Sequence, residues 1–325
     1  MPLYRKELLT VIKAFIKKIM EIAVLLLWKI ANMFCIMGIG AVLYRIGILS
    51  DRSTEDLGKI LVQVIIPSVI LNQLWTEYSA EKQAMLIHSF VLSAAAMALS
   101  AAISSLRFRD RKDAVSRGGS TFSNVGFFGI PVVTAAMGAD AILGISPTVA
   151  FCNLLMSSLL VYWLSGRKDA ISISGLLKLP TLIVLFAGIL LFALRIPKPA
   201  FCADLLSTLT QLNTPVALLL SGAFLAKSNL GKALRDLTVW RVCLWRLVLI
   251  PLMTLLLLKV IPIGSPTEKR AIWICLSCPI GMNLPIFAKL YDEKNVSLAA
   301  EEVCISTLMC ILTLPPGLMI ADMLL

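Results

Sequence analysis

A chain of 325 residues, 58% hydrophobic and 15% charged, with mean hydropathy +0.89, lies far from soluble globular domains, which carry about 25% charged residues. It has the composition of an all-α polytopic membrane protein. The formal charge of +11 is spread over short connections between apolar runs, as topology signals are, and does not point to nucleic acid; with no P-loop, no glycine-rich dinucleotide turn and no soluble domain-sized segment, no cofactor is implied.

Residues 1–22 carry Arg5, Lys6, Lys13, Lys17 and Lys18, with Leu8, Ile12, Phe15 and Ile19 at helical spacing. This pattern predicts a basic amphipathic helix on the membrane surface. No A-x-A-like site follows, and the charged part is too long for a signal peptide. Apolar runs of about 20 residues, enough to span a bilayer, then lie near 23–46, 54–75, 83–106, 119–138 and 141–164. After a short polar linker, 165–177, a second set lies near 178–196, 203–226, 238–262, 270–290 and 297–321. The chain thus divides into the surface segment (1–22), a first five-helix repeat (23–164), the linker, and a second five-helix repeat (178–325). Five spans end on the side opposite their start, so a second copy must be inverted relative to the first.

Two of these runs are poor helices. The fourth contains GGSTFSNVGFFGIPVVTAAMG, residues 118–138, in which Gly126, Gly129 and Pro131 crowd together beside Asn124. Glycine costs a helix interior about 1 kcal/mol, and proline about 3 kcal/mol plus a backbone hydrogen bond. The ninth contains CPIGMNLPIFAKLY, residues 278–291, with Pro279, Asn283 and Pro285. Span two has Pro67 in QVIIPSVILNQ, and span seven has Pro215 in QLNTPVALLLSGAFLA. The interruptions therefore hold the same ordinal place in each half. Backbone freed within a bilayer survives only inside protein or beside a watery cavity, and paired interrupted segments point to a transporter's substrate site.

Lys and Arg sort by side. One set of connections holds Arg45, Arg52 and Lys59, then the cluster from Arg107 to Arg117, then Arg167, Lys168 and Lys178, and later Lys227, Lys232, Arg235, Arg241, Lys289 and Lys294. The opposite set holds Lys82, Arg195, Lys198, Lys259, Lys269 and Arg270. The positive-inside bias places the linker in the cytoplasm and both termini outside, in a multi-pass protein of the cell membrane. The basic N-terminal tail argues the other way.

Two half-helices meeting in the membrane expose orphan N–H and C=O groups. A helix N-terminus behaves like roughly half a positive charge, which suits an anionic substrate such as a carboxylate. Asn124 and Asn283 would contact that substrate or tie down their own freed backbone. Gly126 and Gly129 permit close approach of a second backbone, while Pro67 and Pro215 would line the same cavity or kink packed spans. Gln63, Asn72 and Asn213 are second-tier candidates beside them. Arg246, a turn and a half into span eight, is expected to snorkel to the interface. Glu301 and Glu302 open span ten, where acidic residues suit a helix start, and they are not counted as ion ligands; the usual mid-span carboxylate of an ion relay is missing.

The eight cysteines are scattered over apolar spans. Cys275 and Cys278 form a C-x-x-C, but a zinc site needs two further ligands, and the chain's one histidine, His88, falls in a different span. No metal site is expected, and no nucleophile, base or metal set marks an enzyme.

SNVGFFGIP, with the short turn at Gly138, resembles the fourth span of the auxin efflux carrier family, which includes plant auxin exporters and bacterial malate and malonate permeases. CPIGMNLPIFAKLYDEKNVSLAAEEVCISTLMCILTLP resembles that family's C-terminal signature, GIGAVLYRIGILS with IIPSVIL its first two spans, and PVALLLSGAFLA its seventh. The likeness covers nearly the whole chain beyond residue 25. It implies ten spans in an inverted repeat with spans four and nine crossing at their breaks. It also implies a scaffold (spans one, two, six and seven), a transport domain (spans three to five and eight to ten), alternating access and a homodimer. The family's substrate-contacting asparagine falls on Asn124. The ninth-span break CPIGMNLP differs from that of the plant carriers, and their long cytosolic loop is absent, so indole-acetate specificity is not implied. The alternative reading is a sodium-coupled solute symporter of the related bile-acid fold, which would need buried carboxylate and amide oxygens around the ion.

Overall fold

In the computed structural model, residue 28, residues 31–227 and residues 230–325 are described. The expected amphipathic segment 1–22 lies outside the described residues, as does the start of the first expected span.

The described secondary structure is helical apart from one isolated antiparallel bridge, between Ser123 and Ile280. The first helices are α1 (Ala31–Arg45), α2 (Asp51–Leu74) and α3 (Ala80–Arg107). The fourth expected span is two pieces, α4 (Ala114–Thr121) and α5 (Val125–Met137), followed by α6 (Ala141–Ser165). After the linker come α7 (Pro180–Ala193), α8 (Ala200–Lys227) and α9 (Leu237–Val260). The ninth expected span is again two pieces, α10 (Pro266–Ser277) and α11 (Leu284–Tyr291), and α12 (Val296–Leu324) closes the chain. Six helices are long and apolar enough to cross a membrane among the described residues; α1 and α5 are apolar but shorter.

Local chemistry sets the ends. Ser50 with Ser53, and Ser265 with Glu268, form capping boxes that start α2 and α10, each satisfying two orphan N–H groups reciprocally. Gly166 ends α6 with φ 69°, a left-handed position that suits a residue without Cβ.

The prolines behave differently from the sequence expectation. Pro67, Pro131 and Pro251 each stand just after a π-helical turn, at Leu61–Ile65, Val125–Gly129 and Trp245–Leu249 respectively. A wider turn moves away the carbonyl that the proline ring would strike and whose bond it cannot make. Pro131 therefore does not break its span. The interruption lies upstream, at residues 122–124, between α4 and α5.

Two groups of helices result. In the first, α2 packs on α7 and α8. On α1, a Cβ at Gly40 would sit 2.1 Å from the Leu219 carbonyl oxygen of α8. In the second group α3 packs on α6, α6 on α10, α9 on α12, and α12 on α4 and α11. Small polar residues fill these seams: Ser93 of α3 and Thr148 of α6, both buried, share a hydrogen bond of 2.6 Å. Among lipid tails helices gain by close packing and interhelical hydrogen bonds rather than by apolar burial, which favours such residues. The groups meet where α6 touches α2 and α7, and where α5 touches α8.

Candidate functional site

The two interruptions face each other and complete each other's backbone. Phe122 (φ −97°, ψ 118°) and Cys278 (φ −64°, ψ 162°) leave their helices in extended conformation. The Asn124 N–H then donates to the Pro279 carbonyl at 2.8 Å, and the Gly281 N–H donates to the Phe122 carbonyl at 3.0 Å. Ser123 Oγ donates to the Cys275 carbonyl at 2.8 Å, and the Ile280 N–H donates to Ser306 Oγ at 3.1 Å. A bilayer offers no water for these groups, so the breaks, with Ser306 of α12, supply each other's partners.

Arg246 closes the remaining gap. It is 0% exposed. Its Nε donates to the Cys278 carbonyl at 3.1 Å, and one terminal nitrogen donates to the carbonyls of Thr121 and Ser120 at 3.0 and 3.3 Å. The other terminal nitrogen donates to the Leu276 carbonyl. These carbonyls belong to the C-terminal ends of α4 and α10, where four acceptors per helix lack an internal partner and the helix dipole is negative. The expected snorkelling of Arg246 to the interface is thus overturned: the ends of two half-helices, brought to one place, offer a better environment than the headgroups.

Asn124 starts the second half of its broken span. Its Oδ1 accepts the Phe127 N–H at 3.2 Å, and its carbonyl accepts the N–H groups of Phe128 and Gly129 at 3.2 and 2.8 Å. Its Nδ2 is buried and unpartnered, a costly condition for an amide donor. Beside it lies a small cavity lined by Asn124, Gly126 and Asn283, with Asn153 of α6, Ile66 of α2 and Thr181 of α7. The space amounts to about 30 Å³, room for one or two waters.

The remaining expected site residues fall elsewhere. Gly129 is packed against α10, where a Cβ would meet Cys275 Sγ at 3.2 Å. Pro131 and Pro279 are buried and Pro285 is half-buried, and none of the three lines the cavity; Pro279 contributes its carbonyl to the pairing of the breaks. Pro67 is buried within α2, one residue past the lining Ile66. Gln63 and Pro215 are exposed. Asn72 anchors a loop, accepting from Lys198 Nζ at its carbonyl (2.7 Å) and its Oδ1 (2.9 Å). Burial lowers the Lys198 pKa below its ordinary value. Asn213 is buried with neither side-chain polar atom partnered, away from the cavity lining. Sequence reasoning missed Ser123, Asn153, Thr181 and Arg246. Ser123 was legible beside Asn124; the others needed the fold.

His88 Nδ1 lies 3.1 Å from Glu268 Oε2, at the capping box of α10. Cys275 and Cys278 are buried and free, and no group of three or more His, Cys, Asp or Glu residues is placed to hold a metal among the described residues.

A family model described as membrane transport protein matches residues 25–178 and 169–316, one segment on each half of the chain. No curated protein matches the chain.

Proposed function

The chain belongs to the membrane transport protein family, that of the auxin efflux carriers, and from this premise we propose that it is a secondary transporter of a small organic anion, a mono- or dicarboxylate. The observation that carries the anionic class is the polarity of the paired breaks. The N-terminal ends of α5 and α11, marked by Asn124 and Asn283, border the cavity, and each presents partial positive charge. The opposing negative ends of α4 and α10 are capped by Arg246, which has no carboxylate within ion-pair distance among the described residues. An anion entering there meets uncompensated positive charge in low dielectric, and the free Asn124 Nδ2 is a ready donor.

A cavity of about 30 Å³ is too small for a carboxylate of several carbons, so binding requires its walls to part. Ile66 and Thr181 come from one helix group, and Asn124, Asn153 and Asn283 from the other. Relative movement of the groups would open the site to one side of the membrane at a time, the alternating access of this reading. Ten spans in two inverted repeats, residence in the cell membrane with both termini outside, and a homodimer complete the proposal.

The test is counterflow of labelled malonate and malate into proteoliposomes, after a thermal-shift screen of mono- and dicarboxylates. Saturable counterflow is expected without sodium; strict sodium dependence would favour the symporter alternative, and no saturable counterflow with any carboxylate would overturn the anion class. Asn124→Ala removes a donor to a charged ligand, worth about 1.5–3 kcal/mol, so apparent affinity should fall by roughly 10- to 150-fold with the protein still folded. Unchanged kinetics would remove Asn124 from the site.

A further inference from the structure

One buried acid takes no part in the site as described. Glu302, 0% exposed, lies about two turns into α12, deeper than the helix-start role its sequence position suggests. Its Oε1 accepts the Ser116 hydroxyl of α4 at 2.6 Å. Its Oε2 is buried without a partner. Gly119 of α4 faces that oxygen so closely that a Cβ there would stand 2.5 Å from it, and the same Cβ would lie 3.3 Å from the side chains of Val242 and Ile280. On this side Oε2 therefore faces the backbone of Gly119, with the hydrocarbon of Val242 and Ile280 beside that glycine.

Among the described residues, the charged and titratable groups around it give no compensating cation. Cys243 of α9 faces it, with Asp236 at the N-cap of α9 and the neighbouring Glu301 adding negative charge. Lys232 is engaged with Glu301 Oε1 at 2.8 Å. Arg246 of α9 is held by backbone carbonyls, Lys289 of α11 is exposed, and Cys275 of α10 and Cys278 just beyond it are free thiols. An isolated carboxylate in such surroundings is strongly disfavoured. A carboxylic acid is disfavoured less: its Oε1 can serve as the carbonyl that accepts from Ser116, and its Oε2 can carry the hydrogen at the smaller cost of one unpartnered O–H.

Resting on the transport reading above, we propose that Glu302 is the binding site of a coupling proton. The carboxylate takes up one proton from water to become the acid held here between α4 and α12. It returns that proton to water when movement of α4 opens the contact. Because α4 runs directly into the break that carries Asn124, and Ile280 pairs with Ser123 across it, occupancy of the proton site and shape of the anion site are linked. Such linkage is reciprocal for binding.

Two measurements test this. Infrared spectra of the purified protein at neutral pH should contain the C=O stretch of a buried carboxylic acid, missing in Glu302→Gln. In Ser116→Ala, where that carbonyl loses its hydrogen bond, the stretch should move to higher frequency. In proteoliposomes holding a pH-sensitive dye, an imposed malonate gradient should move protons in the wild type, and the number moved per malonate should fall to none in Glu302→Gln. Identical acid bands in wild type and Glu302→Gln, or an unshifted band in Ser116→Ala, would overturn the proposal. So would malonate-driven proton movement that persists in Glu302→Gln. If wild type carries no malonate, that failure belongs to the transport reading, and the infrared bands alone decide whether Glu302 holds the proton.

Discussion

Arg246→Met is expected to destabilise the folded protein by about 3–5 kcal/mol, read as a large fall in melting temperature in detergent. The guanidinium donates to four carbonyls at the ends of two half-helices, and each buried acceptor left unpaired costs about 1–3 kcal/mol. Relief from burying a charge offsets part of that sum. Methionine fills much of the volume, so the loss measures the hydrogen bonds rather than a cavity. Arg246→Lys should recover only part of the deficit, because an ammonium is a compact charge without the planar fork that reaches carbonyls on both segments. Melting of Arg246→Met at the wild-type temperature would mean that water or rearranged backbone replaces the side chain, and the account of how the breaks are held together would fail.

Gly222→Val is expected to separate α1 from α8. The carbonyl oxygen of Met37 lies 1.8 Å from where a Cβ on Gly222 would be, and the Ala41 nitrogen 2.9 Å. No rotamer relieves such an overlap, since the obstructing atoms are main chain and the helices themselves must move apart. Overpacking typically costs about 1–3 kcal/mol and occasionally more; displacement of a whole helix belongs at the upper end. Cysteines placed on facing positions of α1 and α8 should crosslink readily in the wild type and poorly in Gly222→Val. Equal crosslinking would show that the contact tolerates a side chain.

The helical class, the two sets of spans and the interruption of the fourth and ninth were legible because lipid forces them onto composition: a bilayer demands long apolar runs, and glycine and proline inside such runs weaken the helix at a definable place. The position of the first interruption was not legible. Glycine and proline identify where a helix is weak, but the π turn at Val125–Gly129 absorbs Pro131, and the chain yields instead at residues 122–124, where Asn124 can cap the restart. Arg246 was misplaced for a related reason. Seen along one helix it is a cation near an interface; its value comes from carbonyls 30 and 126 positions away in sequence. Glu302 resembles a helix-start acid in the sequence because it lies near the beginning of the expected apolar run; the helix itself begins at Val296, which leaves Glu302 about two turns in. Asn124 and Asn283, which line the cavity, stood out because an amide beside a broken helix is informative by itself, while Asn153 and Thr181 carry no such local mark. The close approach of α1 and α8 at Gly40 and Gly222 could have been anticipated from the small-residue clusters GIGA and SGA, which allow close approach of helix backbones.

The pairing of the breaks also sets a condition on how the protein is made. The Phe122 carbonyl and the Asn124 N–H find their backbone partners at Gly281 and Pro279, and Ser123 reaches Cys278 across 155 positions of sequence. At a synthesis rate of about 5–20 residues per second, the first break waits roughly 8 to 30 seconds inside the membrane before the second arrives. During that interval its polar backbone must be sheltered by the insertion machinery or by water. A pause in translation before Pro279 would lengthen the exposure, and a chain truncated there would carry an open break as a signal for quality control.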